Sequence, residues 1–159
     1  HSNGYSLARK VFLEQKDWPV NHSVEELGCT IGEALLKPTR IYASLIRGLL
    51  KEFPVKGMAH ITGGGLIENP PRVLPPGTHI ELEFGSWPAP ALFKLLAREG
   101  NIPSREMLRT FNMGIGMTLI VDAEQVGQIQ AWLKEQGEES YQIGRVIAGS
   151  PGVTVRGLE

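Results

Sequence analysis

The sequence predicts an α+β domain in which helices are layered on a mixed or antiparallel sheet. Three observations carry that expectation. Ile80, Leu82 and Phe84 alternate with His79, Glu81 and Glu83, the period-two pattern of a half-buried strand. Ile41, Leu45 and Leu49 fall at helical spacing, as do Val126, Ile129 and Leu133. Helical and strand segments also intermix without the strict alternation that builds a parallel sheet. At 159 residues the chain suits one domain with a sizeable core and is short for two, so 1–159 is read as a single domain.

Taken in order, Ser2 or Asn3 can cap a first helix reaching Lys16, with Leu7, Val11 and Phe12 on one face. A loop runs from Asp17 to Gly28. Thr30 and Glu33 have capping-box spacing, so a short helix covers 31–36 until Pro38 stops it. A longer helix over 39–53 turns the Ile41, Leu45, Leu49 stripe to the core. A strand at 55–62 meets three glycines, and a short helix then ends at Pro70 and Pro71. The alternating strand occupies 78–84. Helices at 89–99 and 104–110 flank the breaker Gly100 to Pro103, a strand covers 115–121, and a helix over 123–136 stops at Gly137. Strands at 141–148 and 153–156 close the chain across a Gly-Ser-Pro-Gly turn.

Composition excludes several classes. Sixteen basic residues balance seventeen acidic ones with no long run of either sign, which argues against a nucleic-acid or membrane-surface partner. The lone Cys29 forms no internal disulfide, no Cys/His spacing suggests a metal site, and a reducing cytoplasm is the expected home. No apolar run reaches the roughly 20 residues that span a bilayer.

The tract from Gly57 to Asn69 carries the chemistry. Glycine lets backbone N–H groups approach a ligand closely, and a following helix start adds unpaired amides and a positive dipole end. Thr62, Gly63, Gly64 and Gly65 therefore form a candidate cradle for a phosphate; a tight strand-to-helix turn is the structural alternative. The tract has neither the lysine of a Walker loop nor G-x-G-x-x-G spacing, so its physics specifies phosphate and no more.

Letter by letter, VKGMAHITGGGLIENPPRVLP resembles the central motif of the aminoimidazole ribonucleotide (AIR) synthetase family, the phosphoribosylformylglycinamidine cyclo-ligases of purine biosynthesis. HSNGYSL at 1–7 and RTFNMGIGM at 109–117 are similar to two further tracts of that family, so the resemblance spans nearly the whole chain. It implies an AIR synthase C-terminal domain-like fold and conversion of formylglycinamidine ribonucleotide to aminoimidazole ribonucleotide with ATP. It also implies that most ATP and Mg2+ contacts belong to an N-terminal domain outside this chain, with which this one works in a homodimeric enzyme, and that the isolated domain is inactive alone. A sister ATP-dependent enzyme of the same superfamily and a non-catalytic phosphate-binding module are the competing readings.

The resemblance marks His60 and His1 as active-site histidines, suited to acid–base work or to a phosphoryl oxygen. On its residues alone, His60 is equally a hydrogen-bonded strand histidine, while His22 and His79 are assigned to surface or edge positions. Asn3 is either a ligand contact or an N-cap. Asn69 is either a contact or a helix terminator, Arg72 either faces the phosphate or is a solvated charge, and Asn112 lies in a turn that either lines the ligand cleft or opens a strand. The polar side of the 78–84 strand, with Trp87 and Pro88, is either a seam for the other half or ordinary packing.

Overall fold

The computed structural model describes residues 3–158. Helix α1 (Tyr5–Arg9) continues directly into a π-helical stretch, Lys10–Gln15. Lys16 N donates to Val11 O at 3.0 Å, five residues back, and this wider turn lets the adjacent Val11 and Phe12 both point into the core. The helix starts after Gly4, whose φ of 78° leads the chain in without a side-chain cap. Asn3 is therefore not the capping residue, and Ser2 lies outside the described residues.

Strands β1 (Ser23–Val24) and β2 (Cys29–Thr30) pair inside and just beyond the segment expected to be loop. The Thr30–Glu33 capping box forms as expected and starts α2 (Ile31–Leu35). Helix α3 (Ala43–Glu52) begins later than expected. Ile41 consequently precedes the helix and is 83% exposed, whereas Leu49 is fully buried and Leu45 packs beside it.

Strand β3 (Gly57–His60) leads to the glycine loop, to the single turn α4 (Gly65–Glu68) and to a 3₁₀ turn at Pro70–Val73. Strand β4 (Thr78–Glu83) follows, then α5 (Ala91–Gly100), α6 (Ser104–Thr110), β5 (Met117–Ile120), α7 (Val126–Glu135), β6 (Gly144–Ala148) and β7 (Val153–Arg156). Pairing is mixed, but the strands divide among three small sheets. β3 pairs antiparallel with β5, while β4 lies between antiparallel β6 and parallel β7.

The main core gathers α1, its π-helical extension, α5, α6 and the inner face of β4; a second cluster joins Leu49 of α3 to Ile129 and Leu133 of α7. Each fully buried side chain of this size contributes roughly 1.5–3 kcal/mol. Among the described residues, no helix is long and apolar enough to cross a membrane.

The polar side of β4 departs from expectation. Glu81 is only 7% exposed, because Arg145 Nε (2.8 Å) and Arg156 Nε (3.1 Å) each donate to one of its carboxylate oxygens. Hydrogen bonds from Arg156 first, and from Arg145 second, hold its carboxyl below the usual glutamate range. His79 is at the surface as expected, though on the central strand and not an edge, with its ring nitrogens 2.8 Å from Ser150 O and 2.9 Å from Thr154 Oγ1. His22 stacks on Trp18. Trp87 is buried, and its Nε1 donates to Met113 O at 3.0 Å, so it is a packing residue and not part of an open seam.

Candidate functional site

Three sequence segments far apart in the chain meet at the glycine loop. The β3–β5 pairing extends one step beyond the strands, with Ile61 N donating to Gly116 O at 2.9 Å, which sets the loop beside the 112–116 turn. Gly65 then presses on α6: a Cβ there would run into the carbonyl oxygens of Leu108 and Phe111. Gly4 lies against the Phe111 ring, and Asn3 Oδ1 is 3.5 Å from where a Gly63 Cβ would sit. The 3–4 segment, the 62–65 loop and the 108–112 stretch thus form one packed unit. Gly4 and Gly65 are needed where ring or backbone comes too close for a side chain, whereas a Cβ at Gly63 would make only ordinary contact.

Within that unit the cradle is smaller than expected. Gly65 is buried and its amide donates to Thr62 O at 3.0 Å, so its role is packing and turn closure. The Thr62 amide and hydroxyl both donate to Asn69 Oδ1, at 2.5 and 3.2 Å, rather than outward. Among the described residues, the Gly63 and Gly64 amides have no hydrogen-bond acceptor within the chain. Gly63 is exposed and Gly64 has φ of 102°. Because α4 is a single turn, the helix dipole anticipated after the glycines is slight, and the two loop amides are the donors the loop could offer an anion.

Asn69 stands at the C-terminal cap position of α4, the terminator alternative, yet its side chain does not face solvent. It keeps helical torsions into the 3₁₀ turn, is 3% exposed, and its Nδ2 donates to Gly63 O at 2.9 Å. Arg72 is solvated, its side chain 63% exposed and its guanidinium 3.9 Å from Glu68 Oε2. Asn112 is buried, and its Oδ1 accepts from Gly114 N at 2.9 Å, closing a turn in which Met113 takes φ of 52°. That left-handed methionine is uncommon for a non-glycine residue.

His60, the last residue of β3, is exposed on the outer face of the β3–β5 pair. It borders an open groove of about 630 Å³ between that pair and α3, beside Tyr42, Arg47, Lys51 and Met117. The Tyr42 ring meets the imidazole edge-on at 6.1 Å, and burial, with Glu138 next in effect, pushes the Tyr42 phenol up. Asn3, Asn112 and Gly114 border a different, more enclosed cleft of about 380 Å³, walled by Phe12, Phe93 and Phe111. The structure therefore joins the glycine loop to Asn3 and turns His60 towards a neighbouring groove. His1 lies outside the described residues. Among the described residues no three His, Cys, Asp or Glu side chains gather as a metal site.

The sequence places Arg47 and Lys51 on the outer face of their helix, open to water or a partner, but does not set them beside His60, nor does it reveal the part played by Asn69. Arg47 and Lys51 lie four apart on α3, a signal that one helix face is basic. Nothing in the sequence pairs Asn69 with Thr62.

Comparison with known proteins identifies relatives of the whole chain. A phosphoribosylformylglycinamidine cyclo-ligase of Geobacillus sp. is 50% identical over 157 residues, covering 99% of this chain and 45% of that protein. The cyclo-ligase of Caldanaerobacter subterraneus is 49% identical over 153 residues, again covering 45% of its length. The chain thus spans less than half of the relatives it matches. A thiamine-monophosphate kinase structure from Stenotrophomonas maltophilia superposes with a TM-score of 0.67 at 18% identity over 95% of this chain and 46% of that one, which is a likeness of fold. The family described as AIR synthase related protein, C-terminal domain, matches residues 1–156, and to that family this chain belongs.

Proposed function

We propose that this chain is the C-terminal half of an ATP-dependent cyclo-ligase that converts formylglycinamidine ribonucleotide to aminoimidazole ribonucleotide in purine biosynthesis. The observation that carries this reading is the 50% identity to a cyclo-ligase over 99% of the chain. The Gly63 and Gly64 amides hold the ribose phosphate, with Thr62 fixed behind them and Asn3 alongside. ATP and Mg2+ are held chiefly by an N-terminal half, which covers the His60 groove.

In this reaction the γ-phosphoryl group of ATP would pass to the formyl amide oxygen, with ADP as the leaving group and loss of the amide proton, giving a phosphorylated imidate. The amidine nitrogen attacks that carbon, the C–O bond breaks and phosphate leaves, while a proton departs from the attacking nitrogen. His60 is exposed at the end of β3, where an imidazole can accept that proton or donate to a phosphoryl oxygen. Arg47 and Lys51 supply positive charge to the same groove.

The test is ADP release that depends on both ATP and the amidine substrate, measured for this chain alone and after adding a separately produced N-terminal half of a cyclo-ligase. Activity in the mixture alone is the expected result. A confirmed, folded complex that stays inactive with the amidine would remove the cyclo-ligase assignment.

A further inference from the structure

Asn69 is a buried polar side chain that the chemistry above leaves unused. Its Oδ1 accepts from Thr62 N and Thr62 Oγ1 while its Nδ2 donates to Gly63 O, so one amide group serves both polarities of the loop backbone. With the Gly65 amide turned back to Thr62 O, the Gly63 and Gly64 amides are left open to a ligand. Asn69 also packs closely on Gly64, where a Cβ would lie 2.8 Å from Asn69 Nδ2.

We propose that Asn69 is the positioning residue of the phosphate loop, orienting the two open amides of Gly63 and Gly64 towards the phosphoryl group. The inference rests on the reading that this loop holds the ribose phosphate. Its chemical content is specific: the site needs an acceptor facing Thr62 and a donor facing the Gly63 carbonyl. An ionised carboxylate of the same shape keeps the acceptor but turns a lone pair on Gly63 O. A protonated one restores the donor.

Asn69→Asp should therefore make phosphate binding pH-dependent. Ribose 5-phosphate is titrated into the 159-residue chain, wild type and variant, and followed by the Gly63 and Gly64 amide resonances. Taking the variant's Kd relative to wild type at each pH removes the probe's own titration. We expect a ratio of roughly tenfold at about pH 8, falling to about twofold or less at about pH 5, as expected for loss and recovery of one buried hydrogen bond. A ratio near one at both pH values, or an equal loss at both, overturns the role of Asn69 while wild-type binding keeps the phosphate reading intact. Absence of wild-type binding overturns both. Should the variant not fold at the higher pH, Asn69→Ser, too short to span both partners, is read instead; weakened binding supports the proposal and unchanged affinity defeats it.

Discussion

Asn69 and Glu81 are both buried polar side chains, 3% and 7% exposed, and each is hydrogen-bonded, yet they do opposite things to their surroundings. At Glu81 two arginines from β6 and β7 close on one carboxylate across the sheet, and its oxygens are taken up inside the fold. At Asn69 a neutral amide takes up a donor and an acceptor of the loop backbone and leaves the Gly63 and Gly64 amides unused. Buried polar groups must be paired wherever they sit. The difference teaches that pairing can either complete a structure or hold part of it open, and the open amides are where the proposed phosphate site lies.

The sharpest way to break this contrast is at Gly65, which lies in the loop but is assigned a packing role. Gly65→Ala should cost about 3 kcal/mol or more in urea unfolding, because its Cβ meets the backbone of α6 at a φ of 55°. Unchanged stability would return Gly65 to the ligand-facing part of the loop.

His60→Ala tests the opposite quality, function without a structural cost. We predict a fall in turnover of about 100-fold or more in the mixture with the N-terminal half, as expected for loss of a general acid or base, and little change in melting temperature. Normal turnover would remove His60 from the proton-transfer role.

The sheet cluster is read by acidification. The arginines lower the Glu81 pKa from its ordinary value of 4.5, so the folded form binds its proton less readily than the unfolded one. Its stabilisation is present above that value and is lost as pH falls through the lowered folded pKa. Melting curves of wild type should decline below pH 4.5 more steeply than those of Glu81→Gln. Parallel curves would mean the two arginines do not favour the ionised carboxylate.

Arg72→Ala should give the smallest effect, within about 0.5 kcal/mol of wild-type stability, since its side chain is mostly solvated and its ion pair with Glu68 is long. A clear loss of ribose 5-phosphate affinity in this variant would extend the open region as far as the 3₁₀ turn.

Local rules made much of this legible in advance. The Thr30–Glu33 box, the alternation of Ile80 and Leu82, and the amphipathic helix carrying Ile129 and Leu133 each depend on a few neighbouring residues, and each formed as expected. The same rules failed at Ile41, where helix start decides burial, and at Glu81, whose partners lie 64 and 75 residues away. Trp87 likewise could not be assigned until Met113 O was found beside it.

By itself the sequence determined the mixture of helices and strands, the position of the glycine loop, and the family resemblance, because propensity, capping and backbone freedom are short-range properties. Only the tertiary structure decided that Asn3, the glycine loop and the 108–112 stretch share one packed unit, that Asn69 braces the loop, and that His60 faces a separate basic groove. Those outcomes turn on which distant surfaces come within a few ångströms, and a carbonyl oxygen or a phenyl ring arriving from far along the chain leaves no periodic trace in the residues it meets.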